Sequence, residues 1–171
     1  MTQRSLIIAE ARSWIGTPYR HQASLKGAGC DCLGLIRGVW RAVIGDEPER
    51  APPYAPDWAE AGGEESLAGA GFRHLTPVAR DAFLPGDVLL FRWRAHLPAK
   101  HAAIVTSCVE NGPGTMVHAH DGAAVTEVAL APWWRRHLAY AFAFPGVTCG
   151  AAMMVRPPMI CEAERPHDRH S

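Results

Sequence analysis

Cys32 is the residue of this sequence best placed to act as a nucleophile. It opens a segment in which apolar residues recur at helical spacing, and Asp31 stands where an N-cap residue would. The first turn of a helix stabilises a thiolate through unpaired backbone N–H groups and the positive end of the helix dipole. Gly34 is expected to keep the surface around the sulfur open. We predict a reactive thiol, although a cysteine on a buried helical stripe is more often a small core residue.

A cysteine nucleophile needs a base within hydrogen-bond reach and usually a third group that orients the base. His101 begins a predicted strand, His118 lies in the next one, and the turn-rich sequence ENGPG lies between them. A hairpin there would set the two histidines almost side by side. His120 shares a face with His118, because side chains two apart in a strand point the same way. We predict His101 as the base, and the spacing alone leaves both His118 and His120 as candidates for the third group.

Helices followed by short strands are predicted to position these groups. Apolar spacing predicts one helix over residues 2–15 with Thr2 as N-cap, and a second from Cys32 to Gly45. A weaker third helix is predicted to begin with a capping box at Asp57 and Glu60. Strands are predicted at residues 88–91, 102–106, 116–119, 124–128 and 139–144. This order is typical of an α+β domain in which helices pack on one face of an antiparallel sheet.

Length and charge limit the classes of function. The 171 residues, 48% of them hydrophobic, suffice for one compact domain. The 17 basic and 17 acidic residues give a formal net charge of +0, so no overall field attracts nucleic acid or an anionic membrane. The apolar run near the N-terminus is too short for a signal sequence or a membrane span. We expect a protein made in the cytoplasm without a signal peptide, with no nucleic-acid partner, no membrane insertion and five free cysteines.

Four short motifs in order resemble the NlpC-type family of cell-wall cysteine peptidases, especially its branch in tailed phages and gene transfer agents. The resemblance lies within about residues 5–145, in the segments GTPYRHQASLKGAGCDCLGLIRGVW, LPGDVLLF, KHAAIV and TMVHA. The matching positions are the nucleophile motif Asp31-Cys32-Leu33-Gly34, the turn Pro85-Gly86-Asp87, the catalytic His101, the third polar residue His118, and Tyr19, which in the family contacts substrate. Tyr19 and Asp31 are accordingly predicted to bind substrate.

This resemblance implies a fold and a reaction. It implies a papain-like α+β fold for residues 1–145, with residues 146–171 as a tail that is extended or ordered by a partner. It implies hydrolysis of the peptide stem of bacterial peptidoglycan, commonly between D-glutamate and a diamino acid, without a metal or other cofactor. The phage branch implies a component of a phage-like tail, held by a tail hub or tip protein, that opens the wall from the periplasm or cell-wall side during delivery.

Three other functions fit parts of the pattern. A metal site could form from Cys30, Cys32, His101, His118 and His120, although zinc sites usually have two or more residues between paired cysteines. A peptidase fold without activity could serve as a structural or binding module of a phage-like tail. Acyl transfer by the same three groups would differ from hydrolysis only in the acceptor.

Overall fold

The computed structural model describes residues 2–54, 65–109 and 112–148. The helices in these residues are α1 (Arg4–Arg12), α2 (Cys32–Val43), α3 (Ser66–His74) and α4 (Pro132–His137). The strands are β1 (Thr2–Gln3), β2 (Ser24–Leu25), β3 (Gly29–Cys30), β4 (Thr76–Val78), β5 (Val88–Phe91), β6 (His101–Ser107), β7 (Thr115–His118), β8 (Thr126–Ala129), β9 (Leu138–Ala143) and β10 (Val147–Thr148). The predicted α+β class is confirmed.

A six-stranded antiparallel sheet is the central layer, with the strand order β4-β9-β5-β6-β7-β8. Strands β5 to β8 follow one another as the predicted meander, whereas β9 returns to pair with β5 and β4 pairs with β9 at the edge. The short strand β10 pairs in parallel with β1. It lies within the predicted tail, whose remaining residues, 149–171, lie outside the described part of the chain.

The sheet carries apolar side chains on both faces. One face packs against α1 and α2 through residues that include Ile7, Leu35, Val39, Leu90 and Ile104. The other face forms a second cluster whose members include Phe83, Leu89, Phe91, Val105 and Met116. Burial of both faces explains why β5, and the residues from Ala102 to Val105 in β6, are continuous apolar runs instead of alternating ones.

The two predicted N-terminal helices are present but shorter than predicted, because α1 ends at Arg12 and α2 at Val43. α2 begins at Cys32, and the Asp31 carboxylate accepts a hydrogen bond from the Gly34 backbone N–H at 2.7 Å, as a capping residue does. α1 begins only at Arg4, because Thr2 and Gln3 pair with β10. The expectation that Thr2 caps α1 is therefore wrong.

The sequence reasoning missed α3, α4 and β4. α3 buries Leu67, Ala68 and Gly71 at helical spacing, but its glycines weaken the helical signal. α4 buries no residue and shows little beyond Pro132 at its start. The helix predicted at Asp57 and Glu60 lies outside the described residues. No helix in the described ranges is long and apolar enough to span a membrane.

The cysteines are not all free. Cys30 and Cys32 are free thiols, whereas Cys108 is disulfide-bonded. The expectation of free cysteines, which rested on composition and on the absence of a signal sequence, is therefore wrong at Cys108. Cys30 is fully buried beside the start of α2, so it is part of the core and not an accessible second thiol.

Candidate active site

Asp31 fixes the point at which α2 begins and so fixes Cys32. Its side chain is 2% exposed. One carboxylate oxygen accepts from the Gly34 N–H, and the other accepts from the Gln22 N–H at 2.7 Å and from the Tyr54 hydroxyl. All of these donors belong to the protein, so the structure gives Asp31 a capping role. Its predicted contact with substrate stays a prediction.

Gly34 has a packing role that the sequence reasoning did not predict. It is buried, and a Cβ there would lie 1.9 Å from the Ala23 carbonyl oxygen. The missing side chain therefore lets the loop before β2 pack directly against the first turn of α2. This close approach is a second constraint on the position of Cys32.

The Cys32 sulfur lies at the N-terminal end of β6. Sγ donates a hydrogen bond to the carbonyl oxygen of Lys100 at 3.9 Å, and Lys100 directly precedes His101. Burial and the nearby Asp31 carboxylate raise the pKa of the Cys32 thiol to about 12, and the backbone N–H groups of Ala102 in β6 and of Leu33 and Cys32 at the helix start offset only part of this. The thiol is therefore protonated at neutral pH. Burial outweighs the thiolate stabilisation that its place on the helix predicts.

His101 and His118 form a hydrogen-bonded pair. His101 Nε2 lies 3.0 Å from His118 Nδ1. Across the hairpin His118 is paired with Ala103 and not with His101, so the two histidines are diagonal neighbours on one face of the sheet, close together as the predicted hairpin would place them. His120 is exposed, and its Nδ1 lies 3.0 Å from the Asp121 carbonyl oxygen. The structure thus brings His118, and not His120, into hydrogen-bond contact with His101.

Both members of this pair are neutral at neutral pH. Burial, together with His118 and His120, lowers the pKa of His101 well below its usual value. Burial and His120 lower the pKa of His118 to about 4. When His101 Nε2–H donates to His118 Nδ1, His101 Nδ1 is unprotonated and can accept a proton. This is the tautomer that a general base at His101 requires.

Two tryptophans that the sequence reasoning did not single out pack on His101. The ring of Trp93 lies 5.8 Å from the His101 ring at an interplanar angle of 25°, and that of Trp134 lies 5.5 Å away at 27°. Trp134 also meets the His118 ring edge-on at 5.2 Å. Their sequence signal was weak, because Trp93 lies in a loop and Trp134 in the unpredicted α4. Their apolar surfaces contribute to the burial that keeps the histidines neutral.

Tyr19 lies beside the nucleophile, as the motif predicts. Its backbone forms a β-bridge with Cys30. Burial and the neighbouring Cys32 and Asp31 raise the pKa of the Tyr19 hydroxyl to about 12, so this hydroxyl is a hydrogen-bond donor throughout the neutral range. Contact between Tyr19 and substrate stays a prediction.

The described contacts of Cys32 and His101 do not include a hydrogen bond between the two. The sulfur reaches the backbone next to His101, and hydrogen bonds of this kind are often long before substrate binds. Among the described residues, no group of three or more His, Cys, Asp or Glu side chains is arranged to hold a metal ion. The metal-site alternative therefore finds no support in this part of the chain.

Comparison with known proteins identifies the fold. No family model and no curated protein matches the sequence. The NlpC/p60 domain of the peptidoglycan hydrolase SagA superposes with a TM-score of 0.55 at 22% identity, over 82% of this chain and 98% of that one. An NlpC/p60 family protein from Bacillus cereus gives 0.57 at 18% identity, over 82% and 40%. A lipoprotein-like protein of the same family from Staphylococcus aureus gives 0.53 at 22%, over 82% and 41%.

These matches differ in how much of each protein they cover. The chain spans almost all of the SagA domain, but only about two fifths of the length of the Bacillus and Staphylococcus proteins. The chain therefore has the papain-like fold of NlpC/p60 domains.

Proposed function

We propose that this protein belongs to the NlpC/p60 family and is a cysteine peptidase that hydrolyses the peptide stem of bacterial peptidoglycan. Cys32 is the nucleophile, His101 the general base, and His118 the residue that orients His101. One observation carries the proposal. On a fold shared with NlpC/p60 domains, a helix-start thiol lies at the end of the strand on which His101 is hydrogen-bonded to His118.

The reaction begins with proton transfer between two neutral groups. His101 Nδ1 accepts the Cys32 proton while the sulfur forms a bond to the scissile carbonyl carbon. The Cys32 backbone N–H helps to hold the oxyanion. The proton on His101 then passes to the leaving amine, the C–N bond breaks, and a thioester remains. Water, deprotonated by His101, cleaves the thioester, releasing the carboxylic acid and restoring the thiol.

The bond between D-glutamate and a diamino acid is the proposed site of cleavage. Support comes from the resemblance of the motifs around Tyr19, Cys32 and His101 to those of the NlpC-type family. The name of the SagA domain, a peptidoglycan hydrolase, agrees with the same class of substrate. In this proposal Tyr19 and Asp31 lie on the substrate side of the nucleophile, and Tyr19 supplies a hydroxyl donor.

Digestion of purified peptidoglycan tests the proposal. The wild-type protein, reduced and folded, is incubated with sacculi, and the released fragments are identified by mass spectrometry. Fragments cut within the stem are expected from the wild type and not from Cys32→Ala. Cys30→Ala is the matched control, since Cys30 is a free thiol two residues away that is fully buried. Unchanged cleavage by Cys32→Ala would refute Cys32 as the nucleophile.

We further propose that the protein works as part of a phage-like tail, bound to a hub or tip protein, and opens the wall from the periplasmic or cell-wall side. Support comes from the motif resemblance to the tailed-phage and gene-transfer-agent branch. Mass spectrometry of purified particles from the source organism tests this role. The protein should be present at a few copies per particle, and its absence would refute the tail role while leaving the peptidase untouched.

A catalytically silent tail module is the second candidate. The observation in its favour is the state of the nucleophile, because the Cys32 thiol has a pKa of about 12 and is hydrogen-bonded to Lys100 instead of His101. The digestion experiment separates the two candidates. If folded, reduced protein released no fragments from several wall types, the silent module would be favoured.

A further inference from the structure

A cationic cleft of about 740 Å³ opens at the edge of the sheet that β4 and β9 form. The β5–β6 loop and α4 complete its walls. Four arginines and a histidine provide its charged lining, namely Arg80, Arg92, Arg94, Arg136 and His137. Among the described residues, no aspartate or glutamate lines it. The cleft therefore has a positive field, although the whole chain has a formal net charge of +0.

Most of this charge is not neutralised by the described part of the protein. Arg92 is satisfied, because it pairs with Glu65 at 2.8 Å and packs 5.3 Å from the ring centre of Tyr140. Arg94 and Arg136 are exposed, and no carboxylate of the described residues lies within ion-pair distance of either. Arg80 donates only to a backbone carbonyl, at 3.4 Å. Converging like charges in a concave site favour an anionic ligand.

The cleft and the catalytic histidine share a wall. Trp93 lines the cleft and also stacks on His101 at 5.8 Å. His137, also in the cleft wall, has its ring 6.4 Å from that of Trp93. Trp93 therefore joins the cleft wall directly to the catalytic histidine. In the proposed mechanism His101 passes its proton to the leaving amine, so we assign the cleft beside it to the leaving-group half of the substrate.

We propose that this arginine cleft binds a carboxylate of the stem's leaving-group half and makes the enzyme selective for stems whose diamino-acid carboxylate is free and not amidated. The proposal rests on the function proposed above. A guanidinium presents paired N–H donors that match both oxygens of a carboxylate, whereas a carboxamide offers one acceptor and no charge. A phosphate-bearing wall polymer would also satisfy the arginines, but it would not make cleavage depend on stem amidation.

The test compares two synthetic stem tetrapeptides that differ only in whether the side-chain carboxylate of the diamino acid is free or amidated. The quantities measured are kcat and KM for the wild type, for the double variant Arg94→Gln/Arg136→Gln, and for Arg50→Gln. Arg50 is an exposed arginine outside the cleft, so its substitution controls for the loss of surface charge. Circular dichroism establishes that each variant is folded.

The wild type is expected to favour the free carboxylate by about tenfold in kcat/KM, the size of one charge-assisted hydrogen bond, and mainly through KM. The double variant should bring the ratio of the two stems close to one, and Arg50→Gln should keep the wild-type ratio. Equal cleavage of both stems by the wild type would overturn the cleft proposal and leave the peptidase standing. Cleavage of neither stem would overturn the proposed function, and the cleft proposal with it.

Discussion

His101 Nε2 and His118 Nδ1 lie 3.0 Å apart although the two residues are not paired across the hairpin. His118 faces Ala103, and the side chains meet along the diagonal of the sheet. An imidazole is long enough to cross this diagonal. When His101 Nε2–H is the donor in this bond, Nδ1 of His101 is left to accept a proton. We expect the third residue to favour that tautomer as well as to fix the orientation of His101.

Loss of this bond should cost most of the activity. We expect His118→Ala to lower kcat on peptidoglycan stems by about 10²-fold, since an unoriented base loses much of the gain from general base catalysis. His118→Asn should recover part of the loss, because the amide oxygen can accept from His101 Nε2–H. Initial rates with a synthetic stem peptide measure both effects.

His120→Ala is the matched control for the same experiment. His120 is exposed and is not hydrogen-bonded to His101 in the structure. We expect its kcat to stay within a few-fold of the wild type. A loss as large as that of His118→Ala would show that His120, and not His118, completes the site.

The raised pKa of Cys32 predicts slow alkylation of the free enzyme at neutral pH. With a pKa of about 12, the thiolate fraction increases about tenfold per pH unit across the neutral and mildly alkaline range. Alkylation by iodoacetamide, quantified on the peptide that carries Cys32, should therefore rise steadily from pH 6 to 10. A plateau reached below pH 7 would instead reveal a preformed thiolate–imidazolium pair with His101.

The neutral histidines predict a loss of stability in mild acid. The unfolded His118 has a pKa near its usual 6.5, and the folded one a pKa of about 4. Between these values the unfolded chain binds more protons, so the free energy of unfolding falls as the pH falls below 6.5. From pH 7.5 to 5 the loss due to His118 is about 2 kcal/mol.

Urea unfolding at these two pH values measures this effect. His118→Asn removes the titrating group, so its stability should depend less on pH than that of the wild type. The window ends above 4.5, the usual pKa of a glutamate in the unfolded chain, so carboxylates such as Glu127, whose pKa the fold lowers to about 2, contribute little to the loss. Equal pH dependence in both proteins would show that folding does not lower the pKa of His118.

The features that depend on local sequence pattern were predicted well. The apolar stripe and the capping Asp31 locate α2 and Cys32, and the strand that His101 begins is marked by the apolar run from Ala102 to Val105. The sequence predicts that His101 and His118 lie close together, but not the register of the hairpin, which pairs irregularly between Val105 and Ser107.

What the sequence could not predict depends on tertiary contact. The pKa of Cys32 follows from burial against β6, which outweighs the local effect of the helix start. The tight contact of Gly34 with Ala23 depends on how a loop folds back on α2. The packing of Trp93 and Trp134 on His101 joins a loop to a short helix that has no buried residue of its own.

Trp134 is expected to be a positioning residue for the histidine pair. It stacks on His101 and meets His118 edge-on, so its removal should free the His101 ring and admit water. Trp134→Ala should lower kcat about tenfold, as a weakened general base would. Because desolvation lowers the pKa of His101, the acid limb of the kcat–pH profile should move to higher pH.

Two variants separate positioning from a merely structural role. Trp134→Phe keeps an aromatic face and should restore most of kcat and the wild-type pH profile. Trp133→Ala alters the neighbouring tryptophan, which is 44% exposed and stacks on His137, and should leave the acid limb in place. If Trp134→Ala lowered kcat without moving the acid limb, or if Trp133→Ala moved it equally, Trp134 would serve only to hold α4 against the sheet.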